Sequence, residues 1–438
     1  MKLKTFKGGI HPYDGKEYTK NEKIRMMNAS QEVVFPLSQH IGAPAKAIVK
    51  AKDEVKVGQT IAVAQGFVSA NIASSVSGTV KTIEPRLDAS GAYKDAIVII
   101  NDGQYTKFGE EHENDISQLS DEDIIEKIKQ AGIVGLGGAG FPTHVKLSPK
   151  NKDDIDYIII NGAECEPYLT SDYRLMIERP QQLIAGIKII LRLFPHAKGI
   201  IGIENNKPEA ITLLNELCSN EPDIEVRPLL TKYPQGGERA LIYATTGRKI
   251  HSKMLPADAG CIVNNVATII AVYQAVSFDH PLISTIITLT GDAVNSPCNL
   301  EVPTGTSCSY ILEENGGLKQ AAEKIISGGP MMGMALMSLD IPVTKTSSSI
   351  LAMTHDEVAA NTPTPCIHCG RCVDVCPSHI VPQLMYRYAQ KNDLENFVKL
   401  NGMECIECGS CSYICPAKRN MTQAFRKMKR LVAASQRK

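Results

Sequence analysis

Hydrophobic residues in the first quarter of the chain come in short β-branched runs. Four runs between 33 and 100 are separated by Gly and Asp: AKAIVKAKD, VKVGQTIAVAQ, VSGTVKTIEP and DAIVII. Runs of this kind between turn residues are typical of strands. The pattern predicts a small all-β domain over 31–112. It follows a polar N-terminal arm over 1–30 that has glycines and a proline but no periodic core.

Apolar positions alternate between two periods over 113–280. They recur at helical spacing in 121–130, 181–193 and 209–217, whereas short runs typical of buried strands occupy 157–160, 199–203 and 224–230. Strands that alternate with helices predict an open α/β sheet with helices on both faces. We therefore expect a ligand site at the carboxyl ends of these strands.

Two further segments complete the chain. Over 281–348, strand-like runs and paired glycines, including TIITLTGDAV and ISGGPMMGMAL, predict a compact α+β domain. From 349 to 438 the chain is first rich in cysteine and then helical in pattern. The sequence thus predicts a multidomain protein of the α/β plus β class.

The composition excludes several classes of protein. Lys plus Arg and Asp plus Glu both number 47, so the formal net charge is zero and nucleic acid is not an expected partner. No apolar run reaches the roughly 18 residues of a spanning helix. The N-terminus also lacks the apolar core of a signal peptide. We therefore expect a cytoplasmic chain with no transmembrane segment.

Eight of the 13 cysteines form a repeated motif near the C-terminus. CIHCGRCVDVCP and CIECGSCSYICP both follow the pattern CxxCxxCxxxCP. Two-residue gaps bring three thiolates to one cluster, and the fourth Cys ligates the other cluster. The spacing predicts two 4Fe–4S clusters, one held by Cys366, Cys369, Cys372 and Cys415 and the other by Cys405, Cys408, Cys411 and Cys376. Zinc is the alternative, although zinc sites commonly pair CxxC units across a longer spacer.

Other residues of this region allow two interpretations. His368 and Glu407 occupy equivalent positions in the two motifs, either as solvated turn residues or as charges that separate the potentials of the clusters. The remaining cysteines lack a ligand spacing, and we expect them to be buried among apolar groups. They are Cys165, Cys218, Cys261, Cys298 and Cys308.

A glycine-rich loop, GLGGAGFPTHVKL, follows the first predicted helix of the α/β domain. The backbone amides of such a loop can bind a phosphate, and Lys146 supplies a compensating cation. The loop matches neither GxGxxG in its strand context nor the P-loop pattern, so alone it is weak support for a nucleotide site. Three further segments accompany it along the chain: NGAECEP, GGERA and NNVAT.

In this order, the four segments resemble the FMN-binding segments of the NADH-binding flavoprotein subunit of respiratory complex I, over about 120–345. The resemblance implies a Rossmann-like flavoprotein domain over 113–280, a soluble-ligand-binding β-grasp domain over 281–348, FMN as cofactor and NAD(H) as substrate. The residues implied for FMN are Gly135, Gly137, Gly138, Lys146, Asn161, Glu164, Glu166, Glu238, Asn264, Asn265 and Thr268. Phe141 and Glu166 are implied as catalytic residues that contact NAD(H). Ala163 and Gly237 depart from acidic residues of the complex I pattern.

The order of parts along the whole chain resembles the C subunits of Rnf ferredoxin:NAD oxidoreductase complexes. These parts are the GGIHP start, the all-β domain, the flavoprotein-like and β-grasp domains, and an α-helical two-cluster ferredoxin-type domain over 349–438. The all-β domain resembles the biotinyl/lipoyl-like hammerhead, a barrel-sandwich hybrid. Its hairpin GFVSANIASSVSG has no Lys at the tip, so we expect it to dock rather than to act as a swinging carrier.

The resemblance implies a peripheral subunit at the cytoplasmic face of the cell membrane, within a redox-driven pump for Na⁺ or H⁺. The chain would exchange hydride with NAD(H) at FMN and relay single electrons through two clusters to or from other Rnf subunits, with ferredoxin as an indirect partner. A soluble FMN and iron–sulfur cobalamin reductase is one alternative, and a non-enzymatic electron-wire scaffold is another.

The C-terminal segment predicts an amphipathic basic helix. Phe425, Met428, Leu431 and Val432 recur at helical spacing in a segment that has no acidic residue. Such a helix either lies on an anionic membrane face or packs on the ferredoxin-type domain.

Overall fold

The computed structural model describes residues 3–110 and 112–435. The outer ends of the predicted arm and of the last domain, 1–2 and 436–438, lie outside these residues, as does residue 111. Among the described residues, no helix is long and apolar enough to cross a membrane.

The N-terminal arm lies across three of the domains. Ile10 pairs with Tyr233 of the α/β domain, and the Gly9 amide donates to the Val375 carbonyl of the cysteine-rich domain at 2.8 Å. Strand β1 (Ile24–Met26) pairs in parallel with residues 299–301 of the third domain. The arm was predicted without a core of its own, and it is ordered by these contacts with other domains.

The all-β domain consists of two small sheets, with strand order β2-β8-β7-β4 and β3-β5-β6. Its strands are β2 (Glu32–Pro36), β3 (Lys46–Ala47), β4 (Glu54–Val55), β5 (Thr60–Val63), β6 (Ile72–Ala73), β7 (Gly78–Leu87) and β8 (Tyr93–Asn101). Phe35, Ile61 and Ile97 share one buried core between the sheets. Ser69 and Ala70 of the predicted hairpin are buried, which supports docking over a swinging carrier.

The α/β domain has a four-stranded parallel sheet, with strand order β11-β10-β9-β12. Its elements are α1 (Asp121–Gln130), α2 (Thr143–Lys146), β9 (Tyr157–Gly162), α3 (Ser171–Glu178), α4 (Pro180–Leu193), β10 (Lys198–Glu204), α5 (Pro208–Leu217), β11 (Ile224–Leu229), α6 (Glu238–Thr246), β12 (Cys261–Asn265) and α7 (Val266–Phe278). The three predicted helices and three predicted strands are present, with ends shifted by at most two residues.

Side chains of β9 explain why helices cover both faces of this sheet. Successive strand residues point to opposite faces. Ile158 and Ile160 belong to the core that includes the apolar residues of α4 and α7, whereas Ile159 packs with Leu241 and Ile242 of α6. Proline in the first helical position begins both α4 and α5, where no backbone donor is lost.

The third domain is built on a six-stranded mixed sheet with strand order β1-β14-β13-β17-β15-β16. Its own elements are β13 (Ser284–Thr290), β14 (Cys298–Pro303), α8 (Cys308–Glu314), β15 (Lys324–Ser327), β16 (Met334–Ala335) and β17 (Ser349–Met353). The predicted boundary at 348 differs from the structure because β17 lies inside this sheet, between β13 and β15.

The last domain is helical. Its helices are α9 (Glu357–Ala360), α10 (Arg371–Asp374), α11 (Pro382–Ala389), α12 (Leu394–Lys399), α13 (Ser410–Tyr413) and α14 (Met421–Ser435). Phe425, Met428 and Val432 of α14 pack in the core of this domain with Phe397, and Leu431 is 38% exposed. The structure therefore favours a helix packed on its own domain over a membrane-surface helix.

Candidate functional site

The cysteine loops enclose two cavities, which we name by their distance from the α/β domain. The distal cavity, about 440 Å³ including open solvent, is lined by Cys366, Cys369, Cys372 and Cys415. The proximal cavity, about 340 Å³, is lined by Cys405, Cys408, Cys411 and Cys376. Each cavity thus takes three thiols from one motif and the fourth from the other, which is the crossed arrangement that the spacing predicts.

The four thiols of each set line a cavity and do not converge on the position of a single atom. Within residues 3–110 and 112–435, no three His, Cys, Asp or Glu side chains are placed to hold a single metal ion. A mononuclear zinc site needs four ligands that converge on one atom at about 2.3 Å. The donor set and its spacing therefore fit a four-iron cluster in each cavity better than zinc.

The proximal cavity lies against the α/β domain. The Tyr233 hydroxyl donates to the Cys408 carbonyl at 2.7 Å, and Arg239 pairs with Glu404 at 2.8 Å. A methyl group on Gly237 would come within 4.0 Å of the Ile406 side chain. The distal cavity, in contrast, opens at an exposed thiol, that of Cys369.

The glycine-rich loop forms a cradle at the edge of the parallel sheet. The Gly135 amide donates to the Phe141 carbonyl at 2.8 Å, which closes the loop on itself. The Leu136 amide donates to Thr268 Oγ1 at 2.9 Å. Gly137 has a φ of 73°, and no atom lies within 4 Å of the position that a methyl group on Gly138 would take. A ligand can therefore approach the backbone closely at Gly138.

Charged side chains of both signs border this cradle. Lys146 Nζ donates to the Val263 carbonyl at 2.8 Å, and burial lowers the pKa of this amine. Glu238 lies at the start of α6 and is solvent-accessible. Its negative charge partly offsets the lowering of the Lys146 pKa. Neighbouring protein atoms displace water from the Glu238 carboxyl, and this desolvation raises its pKa. The positive charges of Lys146 and Arg239 partly offset that rise.

Three asparagines lie at the carboxyl ends of β9 and β12, at the sheet edge where a ligand site was expected. Asn161 Nδ2 donates to the Gly236 carbonyl at 2.9 Å, and Asn265 Oδ1 accepts from the Ala267 amide at the start of α7. Asn264 is buried, and neither its Nδ2 nor its Oδ1 has a hydrogen-bond partner. Buried polar groups are nearly always paired. The Asn264 amide therefore fits a polar ligand beside the cradle.

The acidic loop, residues 163–167, carries Glu164 and Glu166, and the Glu164 carboxylate is enclosed by the protein. Glu164 has a φ of 48°, and its Oε1 accepts from the Asp172 amide at 2.7 Å while its Oε2 has no hydrogen-bond partner. Burial raises the pKa of this carboxyl, and Lys16 and Lys207 partly offset the shift. The Lys16 amine is 3.9 Å from Glu164 Oε2.

Glu166 connects the α/β domain to the third domain. Its Oε1 accepts from the Met331 amide at 2.6 Å and from the Met332 amide at 3.0 Å. Burial is the main cause that raises the pKa of its carboxyl. Met331 in turn packs over Gly409 in the wall of the proximal cavity. Glu166 therefore holds the loop over 328–333 against this cavity.

Phe141 lies half-buried at the end of the glycine-rich loop. Its backbone carbonyl accepts the hydrogen bond from the Gly135 amide that closes this loop. The contact of its ring with NAD(H) stays a prediction.

Several residues around the acidic loop were not predicted. Lys16 of the arm donates to the Glu166 and Leu169 carbonyls, and Lys207 donates to the Ala163 carbonyl at 2.6 Å. Asp172 accepts from Asn265 Nδ2 at 2.6 Å, and burial beside Glu164 raises its pKa to about 7. Lys16 is separated from this loop by about 150 residues of sequence, so no local pattern could have assigned it.

Models of four protein families match successive parts of the chain. The RnfC barrel sandwich hybrid domain matches 4–104, and the Nuo51 FMN-binding domain matches 128–274. The SLBB domain matches 286–335, and the 4Fe-4S dicluster domain matches 359–416. Each match falls largely within one domain of the fold. The FMN-binding match contains the glycine-rich cradle, and the dicluster match contains both cysteine motifs.

Among solved structures, the fold is similar to that of an NAD⁺-reducing [NiFe]-hydrogenase. The TM-score is 0.51 at 20% sequence identity, over 69% of this chain and 62% of the hydrogenase chain. At this identity the likeness concerns the fold alone.

Three relatives show the family. The chain is 44% identical to the C subunit of a proton-translocating ferredoxin:NAD(+) oxidoreductase complex of Clostridium ljungdahlii, over 89% of this chain and 85% of that one. It is 43% identical to the C subunit of a Na(+)-translocating complex of Acetobacterium woodii, over 100% and 99%. The C subunit of an ion-translocating oxidoreductase complex of Pseudomonas aeruginosa is 40% identical, over 91% of this chain and 52% of its own length. The chain belongs to the family of C subunits of ion-translocating ferredoxin:NAD(+) oxidoreductase complexes.

Proposed function

We propose that this chain is the subunit that exchanges hydride with NAD(H) and relays single electrons through two 4Fe–4S clusters to or from the other subunits of an ion-translocating complex. One observation carries the proposal: the glycine-rich cradle and the proximal cysteine cavity belong to adjoining parts of one chain, joined by the bond from Tyr233 to the Cys408 carbonyl. When bound, FMN supplies the chemistry that converts a hydride pair into single electrons.

The residues of the cradle divide into two groups by their placement. We propose that the amides of Gly135, Gly137 and Gly138, together with Lys146, hold the phosphate and ribityl part of FMN. Asn264, Asn265 and Thr268 would close the phosphate end. The ring part would contact Asn161, Glu164 and Glu166, with Glu238 near it. Ala163 and Gly237, in two separate segments of the site, stand where the complex I pattern has acidic groups.

Phe141 and Glu166 are proposed to contact NAD(H). Glu166 Oε1 is occupied by two amides, so Oε2 is the atom available to a nicotinamide amide. Phe141 ends the glycine-rich loop, where its ring would stack on NAD(H).

We propose an order for electron transfer within the chain, from the positions of the two cavities. The proximal cluster, held by Cys405, Cys408, Cys411 and Cys376, adjoins the flavin domain. The distal cluster, held by Cys366, Cys369, Cys372 and Cys415, lies at the exposed end. Ile10 and Tyr233 are buried at the junction between the α/β domain and the proximal cavity, and the partly buried Met331 packs against them.

We further propose that the chain attaches peripherally to the cytoplasmic face of the membrane through partner subunits, with ferredoxin acting indirectly. Relatives are named for both H⁺ and Na⁺, so either ion is compatible with this family. The parallel sheet is proposed to be Rossmann-like, the all-β domain a hammerhead and the third domain a β-grasp.

Flavin and iron contents of the anaerobically purified chain test this function. We expect one FMN and about eight iron atoms per chain, a flavin band that bleaches on addition of NADH, and co-purification with membranes that is lost when partner subunits are deleted. A purified chain that contains iron but no flavin would support only the alternative of a non-enzymatic electron-wire scaffold. A flavin that bleaches with NADH in a chain that never associates with membranes would favour the cobalamin reductase.

A further inference from the structure

The N-terminal arm runs along the acidic loop and brings Lys16 against it. On one side of Lys16, the Asp14 carbonyl accepts from the Tyr168 amide at 2.6 Å. On the other side, the hydroxyls of Thr19 and Thr170 are 2.7 Å apart and buried. The arm is therefore bound on both sides of Lys16 to the segment that directly follows the acidic loop.

The Lys16 side chain is buried and contacts three residues in or next to this loop. Its Nζ donates to the Leu169 carbonyl and, at 3.1 Å, to the Glu166 carbonyl. The same Nζ lies 3.9 Å from Glu164 Oε2. Burial lowers the pKa of the Lys16 amine, and the negative charge of Glu164 opposes that shift. The two carbonyl bonds hold the amine beside the carboxylate.

The interaction between Lys16 and Glu164 is one of charge. A separation of 3.9 Å is too long for a hydrogen bond, and Glu164 Oε2 is buried without a hydrogen-bond partner. Opposite charges at this distance attract each other far more strongly inside a protein than in water. Removal of one member of a buried ion pair is strongly destabilising, because the other charge stays buried without compensation.

Glu164 is connected to the glycine-rich cradle through Asp172. The Asp172 amide donates to Glu164 Oε1 at 2.7 Å, and the Asp172 carboxylate accepts from Asn265 Nδ2 at 2.6 Å. A methyl group on Gly137 would lie 3.0 Å from the same Nδ2. A displacement of Glu164 would therefore reach the side chain that packs on the cradle.

A second lysine contacts the same loop but is engaged by another carboxylate. Lys207 Nζ donates to the Ala163 carbonyl at 2.6 Å and lies 3.6 Å from Glu204 Oε2. Its charge also offsets the raised pKa of Glu164. Because Lys207 compensates two carboxylates, it replaces Lys16 at Glu164 only in part.

We propose that Lys16 is a positioning residue for the flavin site: it compensates the charge of Glu164 and so fixes the acidic loop beside the cradle. Under the proposed function Glu164 contacts the ring part of FMN, so the position of this carboxylate affects how tightly FMN binds. The arm thereby completes the site from outside the segment over 128–274 that matches the FMN-binding domain. This inference rests on the proposed function, because it needs FMN at the cradle.

A double-mutant cycle on FMN affinity tests the proposal. The dissociation constant of FMN is measured by fluorescence titration of the full chain, with its clusters loaded and its flavin removed. Lys16→Met keeps the length of the side chain without its charge, and we expect it to weaken FMN binding by about tenfold or more. In the Glu164→Gln background, where no carboxylate needs compensation, the same change is expected to weaken binding by about threefold or less.

A role of Lys16 confined to its two carbonyl bonds gives a different result. Both backgrounds keep the Glu166 and Leu169 carbonyls, so loss of those bonds alone weakens FMN binding equally in the two. Equal weakening would therefore overturn the proposal, as would a Lys16→Met chain that binds FMN with the affinity of wild type.

The matched control is Lys20→Met, which removes an exposed lysine of the same arm. We expect this control to bind FMN within about twofold of wild type, since its charge is screened by solvent. Iron content establishes that each variant is folded around its clusters. If Lys16→Met loses its iron, Lys16→Gln, which keeps a donor but no charge, is compared in the same two backgrounds with the same expectation.

The wild-type titration separates this inference from the function on which it rests. A wild-type chain that holds its iron but binds no FMN rejects the proposed function. FMN binding by wild type, with equal losses for Lys16→Met in the two backgrounds, rejects the role of Lys16 alone.

Discussion

At the residue scale, Asn264 is the most direct probe of the flavin cradle, because burial leaves both its amide atoms unpaired. We predict that Asn264→Leu weakens FMN binding by roughly tenfold to a hundredfold, the effect of losing about 1.5–3 kcal/mol of hydrogen bonding to a ligand. The flavin-free protein should lose no stability, since the substitution removes an unsatisfied polar group. Fluorescence titration with FMN and urea unfolding measure the two effects.

Thr290→Val is the control for Asn264. The Thr290 hydroxyl is also buried without a partner, but it lies at the end of β13 in the third domain. This variant should bind FMN as wild type does. If Asn264→Leu also binds FMN normally, the side chain makes no contact with the flavin.

Glu166 allows a second prediction at this scale. Glu166→Gln should lower NADH turnover because the carboxylate that would contact the nicotinamide is lost. The Gln Oε1 can still accept from the Met331 and Met332 amides, so iron content and cluster spectra should not change. Steady-state kinetics and iron analysis check both parts. Unchanged turnover would restrict Glu166 to holding the loop over the proximal cavity.

At the scale of elements, the crossed ligation predicts different losses for the fourth cysteines of the two motifs. Cys415→Ser should remove the distal cluster and about half of the iron, while the proximal cluster is still reduced by NADH. Cys376→Ser should remove the proximal cluster and leave the distal cluster unreduced by NADH. Paramagnetic resonance spectra of the NADH-treated variants distinguish the two. The reverse pattern would show that each motif binds its own cluster.

Lys345 joins three domains and gives a pH-dependent prediction. Its Nζ donates to the carbonyls of Asn71 at 2.5 Å and Gly132 at 2.7 Å, and burial lowers its pKa to about 7. The unfolded chain, with a pKa near 10.5, binds the extra proton between pH 7 and 10.5. Folding therefore becomes more favourable as pH rises through that window, by up to about 1.4 kcal/mol per pH unit.

Urea unfolding at pH 7, 8 and 9 tests this slope. Lys345→Met should remove the contribution of Lys345 and give a flatter dependence than wild type, while Lys46→Met on the exposed surface should keep the wild-type slope. Parallel curves for wild type and Lys345→Met would mean that Lys345 stays protonated in the folded protein.

Sequence patterns predicted the local elements well and the long-range contacts poorly. The period of apolar residues and the prolines that begin α4 and α5 are local, so helices and strands of the α/β domain could be placed within two residues. The cysteine spacing predicted the crossed cavities, although they join distant residues, because the repeated motif is specific to two-cluster ferredoxin folds. The pairing of β1 with β14 and the contact of Lys16 with Glu164 join segments far apart in sequence, where no local period records them.

At the scale of the whole molecule, a net charge of zero conceals a separation of charge. His368 and Arg371 of the distal cavity wall are exposed, whereas the interior of the α/β domain holds buried carboxylates such as Glu164 and Glu204 beside Lys16 and Lys207. Whole-chain composition therefore excluded nucleic acid as an expected partner but could not indicate where the charged groups lie in the fold.

We expect NADH to reduce both clusters of a single chain through one flavin. Anaerobic titration of the purified chain with NADH, followed by optical and paramagnetic resonance spectra, measures this reduction. We predict that the flavin band bleaches and that two interacting reduced 4Fe–4S signals appear, with none in the wild-type chain from which FMN has been removed. Clusters that stay oxidised while the flavin bleaches, or bound zinc in place of iron, would contradict the claim.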